Sequence, residues 1–91
     1  MIMHITEETN AIIGVLRRLA IETGGRDIRY VVDLKGDVSV AFSMELGGSV
    51  DRFEYVVVDD RIRLKQLSGK DQGQESEVAT LSALLSVSAV A

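Results

Sequence analysis

The stretch from Ile28 to Leu67 alternates between apolar and polar residues in four consecutive runs. Successive side chains of a β-strand point to opposite faces of its sheet, so this alternation is typical of strands with one buried face. Short segments rich in glycine and aspartate, which favour tight turns, separate the runs. Both phenylalanines and both tyrosines of the chain lie within the stretch. The pattern predicts a four-stranded antiparallel β-meander that the rest of the chain covers.

The alternation also predicts which side chains face the core. If loops at residues 35–37, 47–50 and 59–60 join the strands, the apolar residues of all four strands fall on one face. A shift of one residue in register would instead point the apolar side chains of a strand to the opposite face. This register places Glu45 opposite Arg52 on the outer face, a favourable cross-strand pair of opposite charges. One inner row is then predicted to contain Tyr30, Phe42, Tyr55 and Leu64. The other residues predicted to face inward are Ile28, Val32, Leu34, Val38, Val40, Met44, Leu46, Phe53, Val57 and Ile62.

A helix is predicted at residues 7–23, where apolar residues recur with helical spacing and form one stripe. Two glutamates open it after Thr6, a suitable N-cap, and Gly24-Gly25 ends it. Gly14 and Ile21 project away from the stripe. They indicate either an exposed glycine beside a surface isoleucine or a second contact face for another subunit, and the first interpretation is the simpler.

A polar, glycine-rich loop is predicted at residues 68–74, followed by a helix from about residue 75. From Val78 onwards the side chains carry no charge, and the helical wheel has no polar side. A helix that is apolar all round must be buried on more than one side, and a small sheet covers only one. The surplus apolar surface predicts self-association as a homodimer. The residues expected to carry it are Val78, Leu81, Leu84, Leu85 and Val87.

Two alternatives concern the same segment. Its serines and alanines could make a half-exposed terminal helix polar enough for a monomer. Residues 86–91 alternate in polarity, so they could form a strand instead of the end of the helix.

The outer face of the predicted sheet is a candidate partner-binding surface. The predicted register places Val31, Ala41 and Val56 in one row, with Val58 beside it. If both helices pack on the inner face, this apolar strip stays open among mixed charges. An ordinary solvated face is the alternative, since antiparallel sheets commonly leave one face to water.

Three basic residues, Arg61, Arg63 and Lys65, face outward on the last predicted strand and form a basic edge. Such an edge can bind phosphates, although charges on edge strands also deter aggregation. The chain has a net charge of −4, and no aromatic residue lies among the three to stack on a base. A nucleic-acid-associated regulator is therefore the alternative function, and nucleic acid is not the expected partner.

No motif in the sequence predicts a reaction, a cofactor or a metal site. Gly69-Lys70 resembles part of a phosphate-binding loop, but Leu64 stands where the upstream glycine is needed. His4 is the one histidine and there is no cysteine, whereas a zinc site takes several such ligands. Asp59-Asp60 is expected to be a turn rather than a pair of catalytic carboxylates. We therefore expect no enzyme activity.

A chain of 91 residues is expected to form one domain, residues 1–91. Its first residues lack the basic region of a signal peptide, and no apolar run reaches the ~20 residues of a membrane span, so a cytoplasmic location without membrane association is expected. The predicted fold is α+β: an N-terminal helix, a four-stranded antiparallel meander and a C-terminal helix. In plan and charge the chain resembles small acidic secretion chaperones and immunity proteins of bacteria, which implies an accessory role. The predicted function is a small non-enzymatic protein–protein interaction module that self-associates and binds an unknown protein partner.

Overall fold

The computed structural model describes residues 7–90, and the side chains of residues 7–86. Five antiparallel strands form one sheet in chain order, with a helix at each end of the meander. The predicted α+β class is confirmed, although the strands number five rather than four. The elements are α1 (Glu7–Thr23), β1 (Arg26–Val32), β2 (Val38–Leu46), β3 (Ser49–Val58), β4 (Arg61–Gln66), β5 (Glu75–Thr80) and α2 (Leu81–Val90).

Helix α1 has the predicted bounds. Two glutamates occupy its first turn, where the helix dipole favours negative charge. Its end is set by Gly24, which has a φ of 93°, and by Gly25, whose amide donates to the carbonyl of Ala20 over 2.8 Å. The left-handed backbone at Gly24 suits a residue without a Cβ, and the amide bond satisfies a carbonyl that the helix end leaves free. Thr6, the predicted N-cap, and His4 lie outside the described residues.

The core lies between α1 and the middle strands of the sheet. Phe42 of β2 is fully buried and stacks on Phe53 and Tyr55 of β3, with ring centroids 5.8 and 5.3 Å apart. The Tyr55 hydroxyl lies 2.6 Å from the Thr23 hydroxyl, which itself donates to the carbonyl of Leu19. This hydrogen bond joins the last turn of α1 to the sheet. The buried apolar residues are Ile13, Val15, Leu16, Ala20, Val38, Val40, Phe42, Phe53, Tyr55, Ile62 and Leu81.

The first hairpin has a longer loop than predicted. Oδ1 of Asp33 accepts hydrogen bonds from the amides of Lys35 (2.8 Å) and Asp37 (2.9 Å). Strand β1 therefore ends at Val32, two residues before the predicted end at Leu34. Tyr30 therefore lies opposite Val40 and not Phe42. The predicted inward placement of Leu34 is also wrong, because this residue lies in the loop and is 87% exposed.

The second hairpin has a shorter loop than predicted. Gly47 and Gly48 have φ angles of 57° and 86°, as in the two-residue turns that match the twist of β-hairpins. Glu45 consequently pairs with Val50 and not with Arg52. Since both registers are displaced by two residues, each strand keeps its predicted inner face. The third hairpin is as predicted, with Tyr55 opposite Leu64.

The predicted helix from residue 75 is wrong over its first turns, because Glu75–Thr80 forms strand β5 along the free side of β4. The amide of Gln66 donates to the carbonyl of Gln74, and Gly73 donates back to Gln66, so the polar loop returns the chain alongside β4. Helix α2 then begins after the strand, and residues 86–90 belong to it rather than to a strand. Asp60 caps this helix: its two carboxylate oxygens accept from the amide and the hydroxyl of Ser82, 3.0 and 2.7 Å away.

Two glycines of the N-terminal half provide a matched test of the packing. A Cβ on Gly25 would lie 2.6 Å from Cδ2 of the buried Phe42 and 2.8 Å from the Ala20 carbonyl oxygen, so Gly25→Ala must displace the core. We expect it to lower the free energy of unfolding by about 1–3 kcal/mol. Gly14→Ala meets no atom within 4 Å, and as an exposed helix position it should gain about 1 kcal/mol. Urea unfolding followed by circular dichroism measures both, and equal effects of the two substitutions would contradict this packing.

Candidate interaction surface

Both helices lie on the inner face of the sheet. α1 contacts β1, β2 and β3, while α2 contacts α1 and β5. Within residues 7–90, no element packs on the outer face. Two cross-strand rows run through the middle of that face, Arg29–Ala41–Glu54–Lys65–Glu75 and Val31–Ser39–Val56–Arg63–Glu77.

A shallow groove of about 680 Å³ runs across part of the outer face. Val31, Val56 and Val58 line it, and Val31 and Val58 are 56% and 52% exposed. Asp33, Asp37 and Asp59 lie at the end of the groove where the first and third hairpins turn. The groove also contains Glu54, Lys65 and Glu75, so an apolar floor is surrounded mainly by carboxylates.

The structure brings together three of the four residues predicted for a partner-binding face. Ala41 is the exception, because it pairs with Arg29 and Glu54 in the neighbouring row. The predicted row Val31–Ala41–Val56 is therefore wrong, and Ser39 takes the middle position. The displacement follows from the altered lengths of the first two hairpin loops.

The predicted basic edge is wrong, because β5 covers the free side of β4 and makes it an inner strand. Arg61 forms an exposed ion pair with Glu77 at 3.4 Å, and Glu77 also lies opposite Arg63. Lys65 lies between Glu54 and Glu75. The neighbouring carboxylates offset the charge that these three bases would offer to a phosphate. Nε of Arg63 is buried without a hydrogen-bond partner.

The residues predicted for self-association do not form one surface. Val78 lies on β5 and is exposed. Leu81 begins α2 and is only 7% exposed, since it belongs to the core of its own chain. Leu84 and Leu85 are partly buried against the same core, and the side chain of Val87 lies outside the described part of the chain.

The edge of the sheet at β1 and the loop after it exposes two residues that the sequence prediction placed in the core. Tyr30 of β1 and Leu34 of the loop are both exposed beside Val31, and β1 is an outermost strand of the sheet. The prediction placed Tyr30 and Leu34 in the core by parity, but α1 does not extend far enough over this edge to bury them. A pattern of alternation reports the face of a residue and not how completely that face is covered.

Other kinds of site find no support in the described residues. Within residues 7–90, no three His, Asp or Glu side chains are grouped so that they could hold a metal ion. The same part of the chain contains no helix that is both long and apolar enough to cross a membrane. No family model, curated protein or solved structure matches the chain.

The position of Leu81 yields a test of its role. Leu81→Ala should lower the free energy of unfolding by about 2–5 kcal/mol, because it removes a buried side chain from the core. Val78→Ala, on the exposed neighbouring strand, should cost less than about 1 kcal/mol. Denaturant unfolding at low protein concentration separates this effect from any association. A stable Leu81→Ala monomer would show that Leu81 is not a core residue.

Proposed function

We propose that this protein is a small non-enzymatic protein–protein interaction module that self-associates, most simply as a homodimer, and serves an accessory role toward another protein. The observation that carries the proposal is the outer face of the sheet, which no element among residues 7–90 covers, with its groove formed by Val31, Val56 and Val58. Exposed apolar surface ringed by polar groups is typical of sites where proteins associate.

The shape of the groove and the charges around it support a protein rather than a small ligand as the occupant. The groove is open and shallow, whereas small-molecule sites usually enclose most of their ligand. The alternating charges of Glu54, Lys65 and Glu75 continue the sheet surface beyond the apolar floor. Such a pattern resembles the polar rim around the apolar centre of a protein interface.

The nucleic-acid alternative requires an open basic strand, but Arg61, Arg63 and Lys65 lie on an inner strand beside carboxylates. Phosphate binding depends on uncompensated positive charge. The cytoplasmic location remains a prediction.

Self-association is tested directly by sedimentation equilibrium of the natural chain from low to high micromolar concentration. We expect the average mass to rise from that of one protomer toward that of two. The rise should persist in moderate salt, because apolar contacts, which salt does not screen, contribute to the association. A protomer mass at every concentration would overturn the self-association part of the proposal.

A further inference from the structure

The two outermost strands of the sheet differ in how they are protected. β5 carries Glu75 and Glu77, and its register shifts at Val78, where a bulge interrupts the strand. Charged side chains and bulges are the usual means by which proteins prevent edge strands from pairing. β1 has its own irregularity at its start, between Arg26 and Arg29, and continues regularly to Val32. This later part of β1 is the unprotected edge.

The hydrogen bonding of β1 shows which of its backbone groups are free. The amide of Asp33, just after β1, donates to the carbonyl of Asp37, just before β2. Residues alternate along an antiparallel strand between bonding to the neighbour and pointing away from it. The backbone groups of Val31 and Arg29 therefore point toward β2, whereas those of Tyr30 and Val32 point outward. Among residues 7–90, no strand pairs with this outer side.

We propose that β1 pairs antiparallel with β1 of a second copy of this chain, about a two-fold axis that passes beside Val31. The inference rests on the self-association proposed above and names the surface that performs it. Tyr30 of one copy would exchange backbone hydrogen bonds with Val32 of the other. Two sheets of five strands each would then form one continuous sheet.

Charge complementarity selects this register. With Val31 on the axis, Arg29 lies opposite Asp33 of the second copy, and the pair occurs twice by symmetry. An axis at Arg29 would place two arginines face to face, and an axis at Tyr30 would bring Asp27 opposite Asp33 of the second copy. Like charges directly opposite one another on a sheet are destabilising. With an axis at Val32, no carboxylate of the second copy would lie across from Arg29.

The same register also covers apolar surface on both faces. On the inner side, Tyr30 meets Val32 of the second copy, and the exposed Leu34 approaches its Ile28. On the outer side, the two Val31 side chains meet at the axis. Each Val31 is also a wall of its groove, so the two grooves would become one surface that crosses the dimer.

Cysteine cross-linking tests the register, because the natural chain contains no cysteine. In Val31→Cys the two thiols would face each other across the axis, where Cα atoms are about 4.5 Å apart in a non-hydrogen-bonded pair, close enough for a disulfide. We expect a covalent dimer on mild oxidation, seen on a non-reducing gel. Val58→Cys is the matched control: it is equally exposed on the same face but two strands further from the axis. Five interstrand spacings would then separate its two thiols, a distance of at least about 24 Å.

The outcomes separate this inference from the proposal on which it rests. Rapid cross-linking of Val31→Cys but not of Val58→Cys supports β1 pairing. If the chain dimerises by sedimentation while Val31→Cys does not cross-link, the β1 interface is wrong and self-association stands. Equal cross-linking of both variants indicates random collision and overturns the inference. A chain that remains monomeric throughout overturns both.

A charge substitution provides the second test. Arg29→Glu would face Asp33 of the second copy at two symmetric positions, and we expect the dissociation constant of the dimer to rise about tenfold. Lys70→Glu makes the same charge change in the exposed loop that follows β4, and it should leave the constant unchanged. Equal effects of the two variants would show that net charge, and not this pairing, is responsible. Circular dichroism checks that both variants stay folded.

Discussion

The structure depends on one arrangement: both helices lie on the same face of the five-stranded sheet. α1 lies over the middle strands, where Phe42, Phe53 and Tyr55 stack beneath it. α2 covers the region near β5 and contributes Leu81 to the same core. Once these contacts are made, the outer face and the β1 edge remain without cover from residues 7–90. The surfaces available to other proteins are therefore a consequence of how the core is built.

Much of this architecture could be predicted from the alternation of side chains. Parity identified the buried Val40, Phe42 and Tyr55, because a change of face would bury polar residues along a whole strand. The helix before them was predicted from its helical spacing of apolar residues. The exact pairing could not be predicted in the same way. A shift of two residues preserves every face, so the register is decided by the turns. In the first hairpin it depends on a hydrogen-bonded carboxylate, Asp33, that no periodicity reveals.

The remaining errors concern surfaces whose exposure depends on how the strands and helices pack together. Residues Glu75–Thr80 begin with two acids and continue with apolar residues, a pattern that suits the start of a helix, yet the open side of β4 makes them a strand. That strand turned the predicted basic edge into an inner strand. Of the predicted partner-binding residues, Val31, Val56 and Val58 share one groove, whereas Ala41 belongs to the next row. The edge of β1 is exposed because α1 does not cover it, and a single sequence does not reveal how far a helix extends over a sheet.

Amide hydrogen exchange along β1, measured by NMR at low and high protein concentration, tests most directly whether the uncovered edge is an interface. The amides of Arg29 and Val31 point toward β2 and should be protected at both concentrations. Those of Tyr30 and Val32 point outward and should gain protection as concentration rises. Rapid exchange of Tyr30 and Val32 at every concentration, alongside protected Arg29 and Val31, would contradict the account by showing that this edge stays in water.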